Sequence, residues 1–241
     1  MQPVLPVSGL LAWWGTAWLR GRAVADLVVD AVLGDDATHV VAGLPGTDGS
    51  VTLVRALGEL RASGCEAIGL ALPAPGDPVG IGGPADFSAA ALEAGEAAVA
   101  GGAGLVPRRV GAAVEWTAYA AHRRQLTDVG EADRALRRTL QQAATALADL
   151  EVARWRPEAA DALMNLHHPP ALRPPDGTPG RCVELAGRSL QALAIVTLAL
   201  EDDGAAISAT EIGVRRAALQ PLAEAARRGL VAACSPEVWP E

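Results

Sequence analysis

Near residue 122 the chain changes its pattern, and that change limits the folds open to it. Before it, short β-branched runs bounded by Gly and Pro alternate with helical stretches; after it, capped 3.6-residue periodicity takes over. Residues 1–121 therefore read as an α/β half and residues 122–241 as a helical half, with the two able to pack as one domain.

In the first half, Leu11, Trp14 and Trp18 and then Leu27, Val28 and Val32 recur at helical spacing, with Gly21 dividing the stretch into two helices. THVVAGL (38–44) reads as a strand, Ser50 as the N-cap of a helix over VTLVRALGELRASG, and CEAIGLALP (65–73) as a second strand buried on both faces. Joined by a right-handed crossover, these pieces predict one parallel βαβ unit. A Gly/Pro-rich loop (74–86) leads to an Ala-rich helix over 87–100, and GGAGLVPRR then reads as a connection. VGAAVEWTAYA alternates, with Val110, Val114 and Trp116 on one face, and makes the third strand. The expected fold class is α/β: a small, three-stranded, mostly parallel sheet with flanking helices, followed by a bundle-like helical half.

In that second half Asp128 with Glu131 forms a capping box that opens a helix to about residue 154. Pro157 opens a short helix to Leu166, residues 180–201 form a third, and Ser208 with Glu211 starts a fourth reaching about Cys234. The stretch ALAIVTLAL (192–200) is apolar nearly all round, which places it at the bundle centre.

All twenty basic residues are arginine. Without lysine there is no Schiff base to a carbonyl or to pyridoxal phosphate, and no Walker-type phosphate lysine. A GC-rich coding bias, seen in the high Ala, Gly and Arg content, accounts for the missing lysine. The net charge of −8 opposes nucleic-acid binding. Three Arg-Arg pairs have a carboxylate four residues before them, as in Asp133 to Arg137 and Glu224 to Arg228, and read as solvated helix faces. Cys65, Cys182 and Cys234 are odd in number and widely spaced, so neither a disulfide framework nor a zinc knuckle is indicated, and a reducing cytoplasm fits. His167, His168, Cys182, Asp161 and Glu184 offer metal-ligand atoms without a ligand spacing; no metal and no cofactor is expected. The N-terminus lacks a signal-peptide pattern, and its apolar stretch is cut by Arg20 and Arg22, so no membrane association is expected.

In a parallel sheet, ligands bind beyond the carboxyl ends of the strands. Applied here, that rule gathers Asp48 and Ser50, then Asp77, Gly80, Gly82 and Gly83, then His122, Arg123 and Arg124 at one mouth. Backbone N–H groups and guanidinium forks in such a set suit a small anion. Two functions remain. One is a non-enzymatic cytoplasmic interaction or regulatory protein acting on a protein partner or as a homodimer, with Trp13, diverging from Trp14, as the interface candidate. The other is an enzyme or sensor for a small anionic metabolite at the strand ends.

Overall fold

The computed structural model describes residues 4–122, 124–149, 172–201 and 209–240. Two helices, α1 (Val7–Leu19) and α2 (Ala25–Leu33), precede β1 (Thr38–Ala42), β2 (Ser50–Thr52), α3 (Leu53–Ala62) and β3 (Ile68–Ala71). Then come α4 (Ala85–Ala94), β4 (Ala97–Ala100), β5 (Ala103–Val110) and β6 (Ala113–Ala120). The rest is helical: α5 (Val129–Asp149), α6 (Gly180–Glu201), α7 (Ala209–Ala233) and a 3-10 turn at Pro236–Val238. The short helix expected from Pro157 to Leu166, and Ser208, lie outside the described residues.

The sheet has six strands in the order β2-β1-β6-β5-β4-β3, and only β1 and β6 pair in parallel. This corrects the expected three-stranded, mostly parallel sheet. Two tight turns explain the difference. Ala100 pairs with Ala103 around Gly101-Gly102, and Val110 with Ala113 around Gly111-Ala112. Gly101 (φ 60°) and Gly111 (φ 62°) take the positive φ that two-residue hairpins require. The stretch expected to be a connection is thus β5, and the expected tail of the fourth helix is β4, cut off from α4 by Gly95 in a left-handed conformation. Ser50 opens a strand, and Thr52 is the cap, its Oγ1 accepting from Arg55 N–H. Nor do β1 and β3 form a βαβ unit, because they run in opposite directions with β6, β5 and β4 between them.

One sheet face carries His39, Val41, Val114, Trp116, Leu105, Ile68 and Leu70 into a core shared with α1, α2 and α3. The same core continues through Leu136, Cys182, Leu185, Leu219 and Leu230 of the three long helices. On the opposite face α4 lays the ring of Phe87 across Gly104, in the space a Cβ would fill. Trp13 is 1% exposed and its Nε1 donates to Ala233 O at 3.1 Å, so this residue holds the core rather than facing outward. The apolar second half of α6 is less central than its composition predicts: Leu200 is exposed and Leu193, Ile195 and Leu198 are half-buried.

β3 is an edge strand, yet all four of its residues are buried. An edge normally leaves a row of backbone donors and acceptors for another strand to take. Here side chains take them. Thr16 Oγ1 accepts from Ile68 N–H (2.9 Å) and donates to Ile68 O (3.0 Å). Ser235 Oγ accepts from Leu70 N–H (3.3 Å), and Arg124 Nη1 donates to Leu70 O (2.7 Å). α1, the β6–α5 connection and the C-terminal tail are therefore all pinned to one strand. Gly15 lets α1 approach, since a Cβ there would stand 2.7 Å from Ile68 Cδ1.

The start of α1 is capped from a distance, because Pro6 has no side-chain acceptor. Glu96, between α4 and β4, accepts from Ser8 N–H at 2.8 Å, as a carboxylate at a helix N-terminus should. Burial nevertheless pushes its carboxyl above the ordinary range, against the lowering by Ser8 and Arg109.

Two measurements check these contacts. Thr16→Val should lower the urea midpoint by the equivalent of about 1–3 kcal/mol, for a buried Ile68 N–H left without a partner, and Thr16→Ser should recover most of it. A carboxyl raised in the folded state contributes stability that is full below its unfolded pKa, about 4.3, and is lost as pH rises through the folded value. Glu96→Gln, whose amide oxygen still accepts from Ser8, should remove that loss, so that its melting temperature exceeds wild type at pH 7 and matches it near pH 4.

Candidate functional site

After β3 the chain makes a tight reversal. Ala74 and Asp77 exchange both backbone hydrogen bonds, with Gly76 at φ 79°. Gly80 follows at φ 78°, and a Cβ there would meet Ala71 Cα and Leu70 O at 2.8 Å, so only glycine fits. This loop, the connection Gln125-Leu126-Thr127 and the last turns of α7 enclose a cleft of about 210 Å³. Its polar wall is Asp77, Gln125, Thr127 and Arg228; Val79, Leu126 and Val231 form the apolar side.

Asp77 is the charged centre of this cleft. Its carboxylate is 7% exposed and holds two arginines of α7, with Oδ2 2.8 Å from Arg227 Nη2 and Oδ1 bonded to Arg228 Nη2. Arg228 also stands 3.8 Å from Glu224, the helical pair that its spacing predicts. The sequence pattern accounts for that solvated contact but does not show that the same arginine turns toward a loop 151 residues earlier. Arg228, Gln125 and Thr127 are the cleft residues missed from sequence. The second carboxylate partner, Asp77, sits too far along the chain for periodicity to reveal it.

Of the residues expected at the strand ends, Asp77 and Gly80 line the cleft. Gly82 and His122 meet through the backbone, His122 N–H donating to Gly82 O at 2.7 Å, and Gly83 packs against Ala120 O and Phe87. The His122 ring is exposed, with Nδ1 3.1 Å from its neighbour Ala121 O. Asp48 and Ser50 are exposed at the β1–β2 hairpin, at the other edge of the sheet. Five strand spacings, roughly 24 Å, separate β2 from β3. Arg123 lies outside the described residues.

Arg124 has another task. Its side chain is 4% exposed, and Nε donates to Glu237, Nη1 to Leu70 O and Gly80 O, and Nη2 to Ser235 and Glu237, at 2.7–3.2 Å. All five guanidinium donors are thus taken within the protein. The guanidinium lies over Gly69, in the space a Cβ would need.

A second titratable group is also closed. Trp116 Nε1, which can only donate, bonds His39 Nδ1 at 3.3 Å, so the other ring nitrogen carries the proton and donates to Asp36 at 3.2 Å. Burial acts to raise the Asp36 carboxyl, but hydrogen bonds from His39 and Arg109 outweigh it and hold the group below its ordinary range. With both nitrogens engaged, His39 braces β1 against β6 and offers no free base. The three cysteines are buried thiols, with Cys182 pushed by burial up to about 12 and Cys234 well above its usual value for the same reason. None is a thiolate nucleophile at neutral pH. Of the metal-ligand candidates, His167, His168 and Asp161 lie outside the described residues.

Arg124→Lys tests the structural role of that guanidinium. An ammonium has three donors for five acceptor contacts, so chemical denaturation should show a loss of about 2 kcal/mol or more, with Leu70 O or Gly80 O left unpaired.

Two family models match the chain. Residues 8–131 match the family model described as Rv1486c-like protein, N-terminal domain, and residues 130–231 match Rv1486c-like protein, C-terminal domain. No curated protein and no solved structure matches the chain. The cleft draws Asp77 from the first of these domains and Arg228 from the second, and the connection Gln125–Thr127 runs just before the two meet. Matched in order by both domain models, the chain belongs to the Rv1486c-like protein family.

Proposed function

We propose that this protein is a regulatory protein that binds a small polar molecule in the cleft between its two domains and acts through contact with a protein partner or a second copy of itself. The observation that carries this reading is the cleft's construction. The first domain supplies Asp77 and, from the β6–α5 connection, the amide and hydroxyl of Gln125 and Thr127; the second supplies Arg228. A few polar groups converging on a partly apolar hollow are what a small-molecule site needs. A ligand held there touches both domains at once and so favours one mutual arrangement of them, which is how binding becomes a signal.

Binding is a better description than catalysis for the residues on view. The His39 ring, the Arg124 guanidinium and the buried thiols are committed to internal contacts, and Asp77 is held by two guanidinium groups. Such groups position and recognise; they are not poised to transfer a proton or attack a substrate.

A thermal-shift panel of amino acids, short dicarboxylates, inorganic phosphate and nucleosides checks the reading. A ligand present at 100 times its Kd adds about 2.7 kcal/mol, which for a chain of this size raises the melting temperature by roughly 5–10 °C. Thr127→Trp, which fills the cleft, should remain folded and lose the shift. A ligand that shifts both proteins equally places the site elsewhere, and a panel without any response removes the cleft as a binding site.

A further inference from the structure

Resting on the reading of the cleft as a ligand site, we infer that its ligand is a small anion, a carboxylate or phosphate group, and that this anion takes Arg228 away from Asp77. Asp77 is then an internal stand-in for the ligand.

The charge arrangement points this way. Two guanidinium groups share one buried carboxylate, and the second positive charge is balanced at longer range by Glu224, 3.8 Å from Arg228 Nη1 and partly solvated. The two arginines are not equivalent. Arg227 is the more buried, at 19% exposure, and is no part of the cleft wall. Arg228 lines the cleft, is 41% exposed, and among the described residues makes one side-chain hydrogen bond, to Asp77. Its remaining donors are open to whatever enters. Among the described residues Glu224 is the one acid near them, 3.8 Å from Nη1 at i,i+4 spacing and partly solvated, a contact weak enough for a bound anion to outweigh.

A donor is also left over next to Asp77. Arg227 Nε is buried and has no hydrogen-bond partner among the described residues. If Arg228 turns to a ligand, Asp77 can close on Arg227 in the two-pronged pairing that guanidinium and carboxylate prefer, which would occupy that donor. Asp77 is therefore never stranded, because one arginine stays with it while the other serves the ligand.

The same cluster disfavours other ligands. A cation would have to displace a guanidinium, because the Asp77 oxygens that could hold it are already bonded to the two arginines. A cleft of about 210 Å³ has room for a small molecule. A phosphate or a dicarboxylate of a few carbons fits with Gln125 and Thr127 bonding its other end.

Isothermal titration calorimetry of the full chain with inorganic phosphate and with succinate tests this, with ethanolamine and glycerol as cationic and neutral probes. At least one anion should bind saturably, Arg228→Gln should weaken it tenfold or more, and Asp77→Asn, which removes the competitor, should tighten it several-fold. Equal weakening by both variants would overturn the exchange, because the pair would then be a single structural unit. Saturable binding of ethanolamine or glycerol with no response to either anion would overturn the ligand class while leaving the cleft a binding site. Silence from every probe, with no response in the thermal-shift panel, would overturn both readings. If Asp77→Asn does not fold, NMR of the wild-type protein decides. Phosphate or succinate should shift the Asp77 carboxyl and the Arg228 guanidinium signals together, and binding that leaves both unmoved would refute the exchange.

Discussion

The buried edge of β3 is the constraint on which the rest of the molecule depends. A strand at a sheet edge that is also covered from water must find partners for its outward N–H and C=O groups, and each one left unpaired costs about 1–3 kcal/mol. Thr16, Ser235 and Arg124 supply them. These three residues come from the first helix, the last turn and the β6–α5 connection, so satisfying one strand draws together parts of the chain more than 200 residues apart. The Trp13 bond to Ala233 O reinforces the same closure.

The cleft is a consequence of that closure. Because the tail and α7 are held against β3, the loop that leaves β3 is pressed under α7, and Asp77 lands between Arg227 and Arg228. Neighbouring residues on a helix point about 100° apart. Both arginines still reach one carboxylate because the loop crosses beneath the helix and presents an oxygen to each. Gly80 is needed for the same approach, since its backbone lies too close to Ala71 and Leu70 O for any side chain.

What could be read from sequence was local. The cap at Asp128 and the helix break at Gly21 follow from one stretch of chain, and the structure shows Asp128 Oδ1 accepting from Gly130 and Glu131 N–H, the N-cap half of the box. The alternation that buries Val114 and Trp116 was legible for the same reason. The hairpins were not recognised although their turn residues were present: Gly101-Gly102 and Gly111-Ala112 are hairpin signals, but Ala-rich flanks at 97–100 favour helix by propensity. Pairing with β3 and β5 overrode that preference. The candidate site failed in a related way. It assumed parallel strands, and with β3 reversed, Asp48 and Ser50 fall at the opposite edge from Asp77 and Gly80.

The sequence alone determined where the chain could be helical, where it must turn, and that its charge chemistry would run on arginine, because propensity, capping and composition act over a few residues at a time. Only the tertiary structure decided strand order and the employment of each arginine. Arg124 and Arg228 look alike in sequence, each the second of an Arg-Arg pair. One became a buried brace making five hydrogen bonds to four acceptors; the other lines a cleft with donors to spare. The difference is the number of carbonyl and carboxylate oxygens that folding brings within reach of each guanidinium, a property of the packed molecule that no local pattern encodes.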